Sequence, residues 1–151
     1  MNELVVALGW LGVFAPMALG ALGSAIGVAI AGQAAIGAML ETDGGYGRFV
    51  GVSAIPSSNV IYGIVVMFSL NQPMTPEIAG ALFGIGLLTG IALLYSGIWQ
   101  GRACASAIAA SKDKPEIFGL SLAPAAIVEG FAVFAFVFAL VLAGGVGEVG
   151  G

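Results

Sequence analysis

The chain contains no histidine and only one cysteine, Cys104, among its 151 residues. A lone cysteine cannot form an internal disulfide, and without histidine neither a zinc site nor a histidine-based catalytic site is expected. Charged residues make up only 8% of the chain, four basic and eight acidic, whereas roughly a quarter of the residues of a soluble domain are charged. So few basic residues predict no binding to nucleic acid.

Apolar residues are abundant instead, at 60% of the chain, and 25 residues are glycine. Glycine and other small residues are enriched where membrane helices pack closely. The first ten residues, MNELVVALGW, lack the basic region of a signal peptide, so they are expected to begin the first helix. The composition predicts an all-α integral membrane protein.

Three polar segments interrupt the apolar sequence: ETDGGYGR at 41–48, NQPMTPE at 71–77 and SKDKPE at 111–116. Each combines charges with glycine or proline, which typically end helices. The intervening segments are long enough to cross a hydrocarbon core of ~30 Å, which needs about 20 apolar residues. Four transmembrane helices are predicted, near residues 5–40, 49–70, 77–110 and 116–143.

The basic residues indicate the orientation of these helices. Lysine and arginine near span ends favour the cytoplasmic side. All four lie in or near the first and third connections: Arg48, Arg102, Lys112 and Lys114. We therefore expect a multi-pass protein of the cell membrane with loops 41–48 and 111–116 in the cytoplasm and both termini outside it.

A shift of 69 residues aligns the two halves of the chain, for example Gly32 with Gly101 and Phe49 with Phe118. The charged loops coincide in this alignment, which predicts a duplicated helical hairpin with residues 1–73 and 74–151 as its two copies. Helices 1 and 3 also carry small residues four apart, which permit close helix contact: Gly23, Gly27, Ala31 and Ala35, and Gly97, Gly101, Ala105 and Ala109. Thin first helices and bulkier second helices form a wedge, and wedges favour a homo-oligomeric ring.

Glu129 lies in the middle of the fourth apolar segment, within AAIVEGFAVFAF (residues 125–136). The first hairpin has Val60 at the aligned position, so one acid serves all four helices. A charge near the bilayer centre costs at least ~2.5–3.5 kcal/mol. Either Glu129 is a protonated structural acid bonded to another helix, or it binds and releases a cation. Desolvation disfavours the bare anion, so the functional hypothesis requires H⁺ or a metal ion on Glu129 whenever it faces lipid.

Other oxygen-bearing groups are predicted at a similar depth. Helix 2 contains IPSSNVIY (55–62), in which Pro56 cannot donate a backbone hydrogen bond and leaves a carbonyl free one turn earlier. Carbonyl, hydroxyl and amide oxygens are hard ligands and favour Na⁺ over a proton, which needs one acceptor. The candidates are Ser58, Asn59, Tyr62 and Gln100, whereas Ser24 and Gln33 are assigned to packing and Arg102 to the cytoplasmic membrane edge.

Over nearly its whole length the sequence resembles the 16-kDa-type proteolipid (c or K) subunits of rotary V/A-type ATPases. The motifs that carry the resemblance are IPSSNVIYG in helix 2, Gln100 followed by Gly101, and IVEGF around Glu129. The resemblance implies that the ion is bound by the Ile55 carbonyl, Ser58, Asn59, Gln100 and Glu129, and that Tyr62 hydrogen-bonds the carboxylate. Sodium-transporting members have threonine and glutamine where this chain has Ser58 and Asn59, and the shorter Asn59 reaches less far. The polar set favours Na⁺, with H⁺ alone as the alternative.

The resemblance further implies a non-catalytic rotor subunit, and the chain has no GxxxxGK[ST] motif for ATP. Expected partners are identical subunits in a ring, a membrane stator subunit supplying an arginine, central-stalk subunits at the cytoplasmic loops, and lipid. Two other functions remain open: a small cation or drug antiporter, and a non-transporting scaffold that tolerates Glu129→Gln. A large SDS-resistant oligomer would favour the rotor, and a dimer the antiporter.

Overall fold

The computed structural model describes the backbone of residues 1–149 and the side chains of residues 1–146. This part of the chain is helical and contains no β-strand. Its α-helices are α1 (Asn2–Leu40), α2 (Tyr46–Ser53), α3 (Ser58–Leu70), α4 (Pro76–Asp113), α5 (Phe118–Ser121) and α6 (Ala123–Val149). Residues 150–151 of the predicted second hairpin lie outside the described residues.

These helices form four regions that are long and apolar enough to cross a membrane: Asn2–Leu40, Tyr46–Leu70, Pro76–Asp113 and Pro115–Val146. The prediction of four transmembrane helices is therefore confirmed. Glycine and proline lie at the connections between these regions. Gly45, before α2, has a left-handed φ of 72°, and Pro76 occupies the start of α4, where a missing N–H costs little.

The second and fourth regions are not the continuous helices that the sequence predicted. A 3₁₀ turn at Ile55–Ser57 separates α2 from α3, because Pro56 supplies no N–H. The fourth region breaks at Leu122, whose dihedral angles (φ −83°, ψ −15°) equal those of Ala54 at the first break. Both hairpins therefore carry a matching interruption in their second helix.

Helices α1 and α4 pack against each other through glycine. A Cβ atom on Gly97 would lie 2.5 Å from the carbonyl carbon of Gly23, and one on Gly101 would overlap the backbone of Gly27. The small residues spaced four apart in α1 are all buried. In the corresponding row of α4, Ala105 is half-buried and Ala109 is exposed. The buried face of α4 continues instead through Cys104, Ala107 and Ile108.

The outward face of α6 is aromatic. Phe131, Phe134 and Phe138 are all more than half exposed in the single chain. Phe136 instead packs on the ring of Tyr62, with 5.2 Å between the centroids. The exposed rings are available for contacts outside this chain, whereas the Phe136–Tyr62 contact fixes α6 against α3.

The first and third connections meet at one end of the molecule. Lys112 forms an ion pair with Glu41. Arg48 donates from Nη2 to the Ser111 carbonyl (3.3 Å), and its guanidinium lies 4.8 Å from the ring centroid of Phe49. The two hairpins are therefore tied together at the end where the basic residues gather.

Candidate ion-binding site

The Glu129 carboxylate is held by donors from two other helices. Tyr62 Oη, on α3, donates to Oε1 over 2.9 Å, and Gln100 Nε2, on α4, donates to Oε2 over 3.2 Å. Both donors are neutral, and Glu129 itself is half-buried. Since the two oxygens are bonded from different helices, the position of the acid depends on the packing of α3, α4 and α6.

Asn59 extends this network into the protein interior. Its Nδ2 donates to Gln100 Oε1 (3.2 Å) and to the Pro56 carbonyl (3.3 Å). Asn59 and Gln100 both have zero solvent exposure. Asn59 Oδ1 is buried and has no hydrogen-bond partner among the described residues. A buried oxygen without a partner normally costs ~1–3 kcal/mol, so this atom is a candidate ligand for a cation.

Ser58 and Ile55 lie at the helix break and are half-buried. Ser58 Oγ donates to the Ile55 carbonyl over 3.4 Å, so two of the predicted ligand oxygens are adjacent. Thus four predicted site residues share one hydrogen-bonded network, and the remaining two, Ser58 and Ile55, pair with each other directly before Asn59 in the chain. Their role in binding an ion stays a prediction.

Ser24 was assigned to packing from the sequence, but its hydroxyl also forms hydrogen bonds with the second transmembrane region. Ser24 Oγ donates to the Pro56 carbonyl (2.8 Å) and accepts from the Val60 N–H (3.0 Å). Gly20 makes this approach of α1 possible, because a Cβ atom there would lie 2.8 Å from the Asn59 carbonyl oxygen. The sequence signal was a serine within a row of small residues, which does not reveal the helix it faces.

Gln33 was likewise assigned to packing, but it is exposed in the single chain. Small residues on either side of it carry the buried face of α1, and Gln33 falls between them. Arg102 is exposed, and its guanidinium lies 4.5 Å from the ring centroid of Trp99. Neither residue contributes to the network around Glu129.

The donor set consists of one carboxylate with amide, hydroxyl and carbonyl oxygens. The described side chains contain no group of three or more histidine, cysteine, aspartate or glutamate residues able to hold a metal ion together. Hard oxygens with a single negative charge match a monovalent cation better than a transition metal, which prefers nitrogen or sulfur. A single positive charge bound by this donor set would neutralise Glu129.

Comparison with known proteins identifies similar chains. The family model for the C-subunit of ATP synthase matches twice, at residues 11–70 and 83–142. The K-subunit of the A-type ATP synthase of Methanocaldococcus jannaschii is 35% identical over 88% of this chain. The K-subunit of the V-type sodium ATPase of Enterococcus hirae is 30% identical over 80% of both chains. This chain covers 62% of the length of the M. jannaschii protein.

Proposed function

The chain belongs to the C-subunit family of ATP synthases, whose model matches it in two stretches, and from this we propose that it is a rotor-ring subunit of a V/A-type rotary ATPase. Such subunits are non-catalytic. Identical copies would assemble into a ring in the membrane, and ATP hydrolysis or synthesis would take place on other subunits and reach the ring as torque.

Glu129 is the proposed carrier of the transported ion. Its two oxygens face Tyr62 and Gln100, so a cation that enters meets a carboxylate already fixed in place. Once the charge of Glu129 is neutralised, the site can pass through hydrocarbon without the cost of a bare anion. When the cation leaves, the two neutral donors stabilise the carboxylate until the next ion arrives.

Na⁺ is the proposed ion, and Asn59 Oδ1, which has no partner among the described residues, is the observation that carries this choice. The same side chain donates from Nδ2 to Gln100, which in turn donates to Glu129, so Asn59 belongs to the network around the carboxylate. A bound cation could be a partner for Asn59 Oδ1, whereas a proton on Glu129 would supply no ligand contact to it. The E. hirae relative is named a sodium ATPase component, which supports the same choice. The proposed ligands are Glu129, Gln100, Asn59, Ser58 Oγ and the Ile55 carbonyl.

The remaining partners follow from the ring. A stator subunit would supply the arginine that displaces the ion from Glu129. Loops 41–48 and 111–116, joined by the Lys112–Glu41 and Arg48–Ser111 contacts, would face the cytoplasm and bind the central stalk. Both termini would then lie outside the cytoplasm, and the aromatic face of α6 would contact lipid.

Carbodiimide labelling of the purified oligomer tests which ion binds Glu129, because the reagent attacks a protonated carboxyl group. We expect labelling at Glu129 that Na⁺ slows at constant pH. Glu129→Gln should abolish labelling while the oligomer still forms, whereas Glu77→Gln, at the exposed start of α4, should change nothing. Labelling that responds to pH but not to Na⁺ would leave H⁺ as the transported ion.

The size of the oligomer tests whether the subunits assemble into a ring. A large SDS-resistant oligomer is expected. A dimer that exchanges cations would instead indicate the antiporter, and transport that survives Glu129→Gln would contradict a carrier role for this residue.

A further inference from the structure

The hydroxyl group of Ser24 is inserted into the backbone of the neighbouring helix. The Val60 amide and the Pro56 carbonyl are an i→i−4 pair, which hydrogen-bond to each other in an unbroken α-helix. Here both bond to Ser24 Oγ, at 3.0 Å and 2.8 Å, and α3 begins only at Ser58. Ser24 thus bridges two backbone groups across the junction between the 3₁₀ turn and α3.

The other serines at the helix breaks behave differently. Ser53, Ser57 and Ser121 each donate to a carbonyl three residues earlier in their own segment. Such local bonds are common for serine and connect no two helices. Ser24 instead reaches from α1 and is nearly fully buried, at 6% exposure. Its hydrogen bonds are therefore made at an interhelical contact.

The Pro56 carbonyl is where Ser24 meets the candidate ion site, since it also accepts from Asn59 Nδ2 at 3.3 Å. From Asn59 the network continues to Gln100 and then to Glu129. An unbroken chain of hydrogen bonds thus runs from α1 to the carboxylate. Displacing the Pro56 carbonyl would displace the amide of Asn59 and, through it, Gln100.

We propose that Ser24 is a positioning residue for the ion site, holding the break in the second transmembrane region open so that Asn59 and the Ile55 carbonyl are presented towards Glu129. This inference rests on the proposed function. Without the hydroxyl, the Val60 amide and the Pro56 carbonyl are free to bond to each other. The α-helical hydrogen bonding of α3 would then extend back to Pro56, and this change in the backbone would move both ligands away from the site.

Ser24→Ala is the main test, because it removes the hydroxyl and leaves the small volume that the α1–α3 contact requires. The measurement is the Na⁺ concentration that halves the rate of carbodiimide labelling at Glu129 in the assembled oligomer. We expect this concentration to rise about 10-fold, as is typical when a group that orients metal ligands is removed. Ser24→Thr keeps the hydroxyl and should restore a value close to that of the unsubstituted protein.

Ser69→Ala is the matched control, since Ser69 is exposed on α3 and donates to the Val65 carbonyl in the same helix (3.0 Å). It should leave the half-protecting Na⁺ concentration unchanged. A merely structural role for Ser24 would lower the thermal stability of the Ser24→Ala oligomer without moving that concentration, and this result would overturn the proposal. If Ser24→Ala does not assemble, Ser24→Cys decides, because its thiol is a weak donor and acceptor of similar size: a rise in the concentration supports the proposal, and an unchanged concentration contradicts it.

The same experiment separates this proposal from the proposed function. If Na⁺ gives no protection to the unsubstituted oligomer, the choice of Na⁺ fails, whatever Ser24 does. If Na⁺ protects the unsubstituted and the Ser24→Ala oligomers equally, only the role of Ser24 fails.

Discussion

Asn59 and Gln100 are hydrogen-bonded to each other over 3.2 Å, and neither side chain is exposed to solvent. Asn59 comes from the second transmembrane region and Gln100 from the third, so this bond joins the two hairpins next to Glu129. A buried amide pair is stable only if its polar atoms are satisfied, and Asn59 Oδ1 has no partner among the described residues. The pair therefore suits a site that is completed when a cation enters it.

Asn59→Leu should weaken Na⁺ binding while keeping the branched shape and the number of side-chain heavy atoms. The substitution removes the unpartnered oxygen and the donor to Gln100, and we expect the Na⁺ concentration that half-protects Glu129 from carbodiimide to rise at least 10-fold. Asn71→Leu, in an exposed connection, is the matched control and should have no effect. An unchanged Na⁺ response in the Asn59→Leu oligomer would show that Asn59 is not a ligand.

Tyr62→Phe isolates a single hydrogen bond, the one to Glu129 Oε1 at 2.9 Å. The phenyl ring retains the packing on Phe136, so helix contacts should be preserved. A hydrogen bond to a charged group contributes about 1.5–3 kcal/mol, and part of this is recovered when Na⁺ or water takes its place. We expect the half-protecting Na⁺ concentration to change several-fold.

Tyr95→Phe provides the comparison for that change. Tyr95 is 58% exposed on α4, and its substitution tests the loss of a phenol hydroxyl away from Glu129. Equal responses of the two tyrosine variants would argue against a specific contribution of Tyr62.

Much of this architecture could be predicted from the sequence because its causes are local. A charge within an apolar segment indicates that Glu129 is a candidate functional residue. Segments with glycine, proline and charged residues indicate the ends of the four helices. Pro56 was correctly seen to disturb its helix. The extent of the break was missed, because it depends on serine hydroxyls that bond to nearby carbonyls and on a residue from another helix.

The role of Ser24 could not be predicted for a different reason. Its partners, Pro56 and Val60, lie more than thirty residues away, and only the packing of α1 against α3 brings them together. The periodicity of α1 shows that Ser24 belongs to a row of small residues. It does not show that this row meets the interrupted part of another helix, nor that Gln33 falls outside it.

Arg48→Lys should destabilise the oligomer more than Lys112→Gln does. Arg48 combines a hydrogen bond to the Ser111 carbonyl with contacts to the rings of Phe49 and Phe118, and lysine lacks the planar group that stacks on aromatic faces. A loss of about 1 kcal/mol is expected for Arg48→Lys. Lys112→Gln breaks the ion pairs with Glu41 and Asp113, whose side chains are 61% and 76% exposed. Exposed pairs of this kind contribute little. Thermal melting of the two variants in one detergent measures the difference, and a larger effect of Lys112→Gln would contradict the ranking.

Gly86→Ala should disrupt the contact between α1 and α4, whereas Gly84→Ala, two residues earlier in the same helix, should not. A Cβ atom on Gly86 would overlap the carbonyl group of Gly12, but one on Gly84 has no described atom within 4 Å. Because backbone rather than a flexible side chain blocks the space, the helices must separate, at a cost of about 1–3 kcal/mol.

Gly84→Ala should be neutral or slightly stabilising, since alanine favours helix over glycine by about 1 kcal/mol. The temperature at which the SDS-resistant oligomer dissociates should therefore fall for Gly86→Ala and stay the same or rise for Gly84→Ala. Equal dissociation temperatures for the two variants would show that close backbone contact between α1 and α4 does not limit the stability of the assembly.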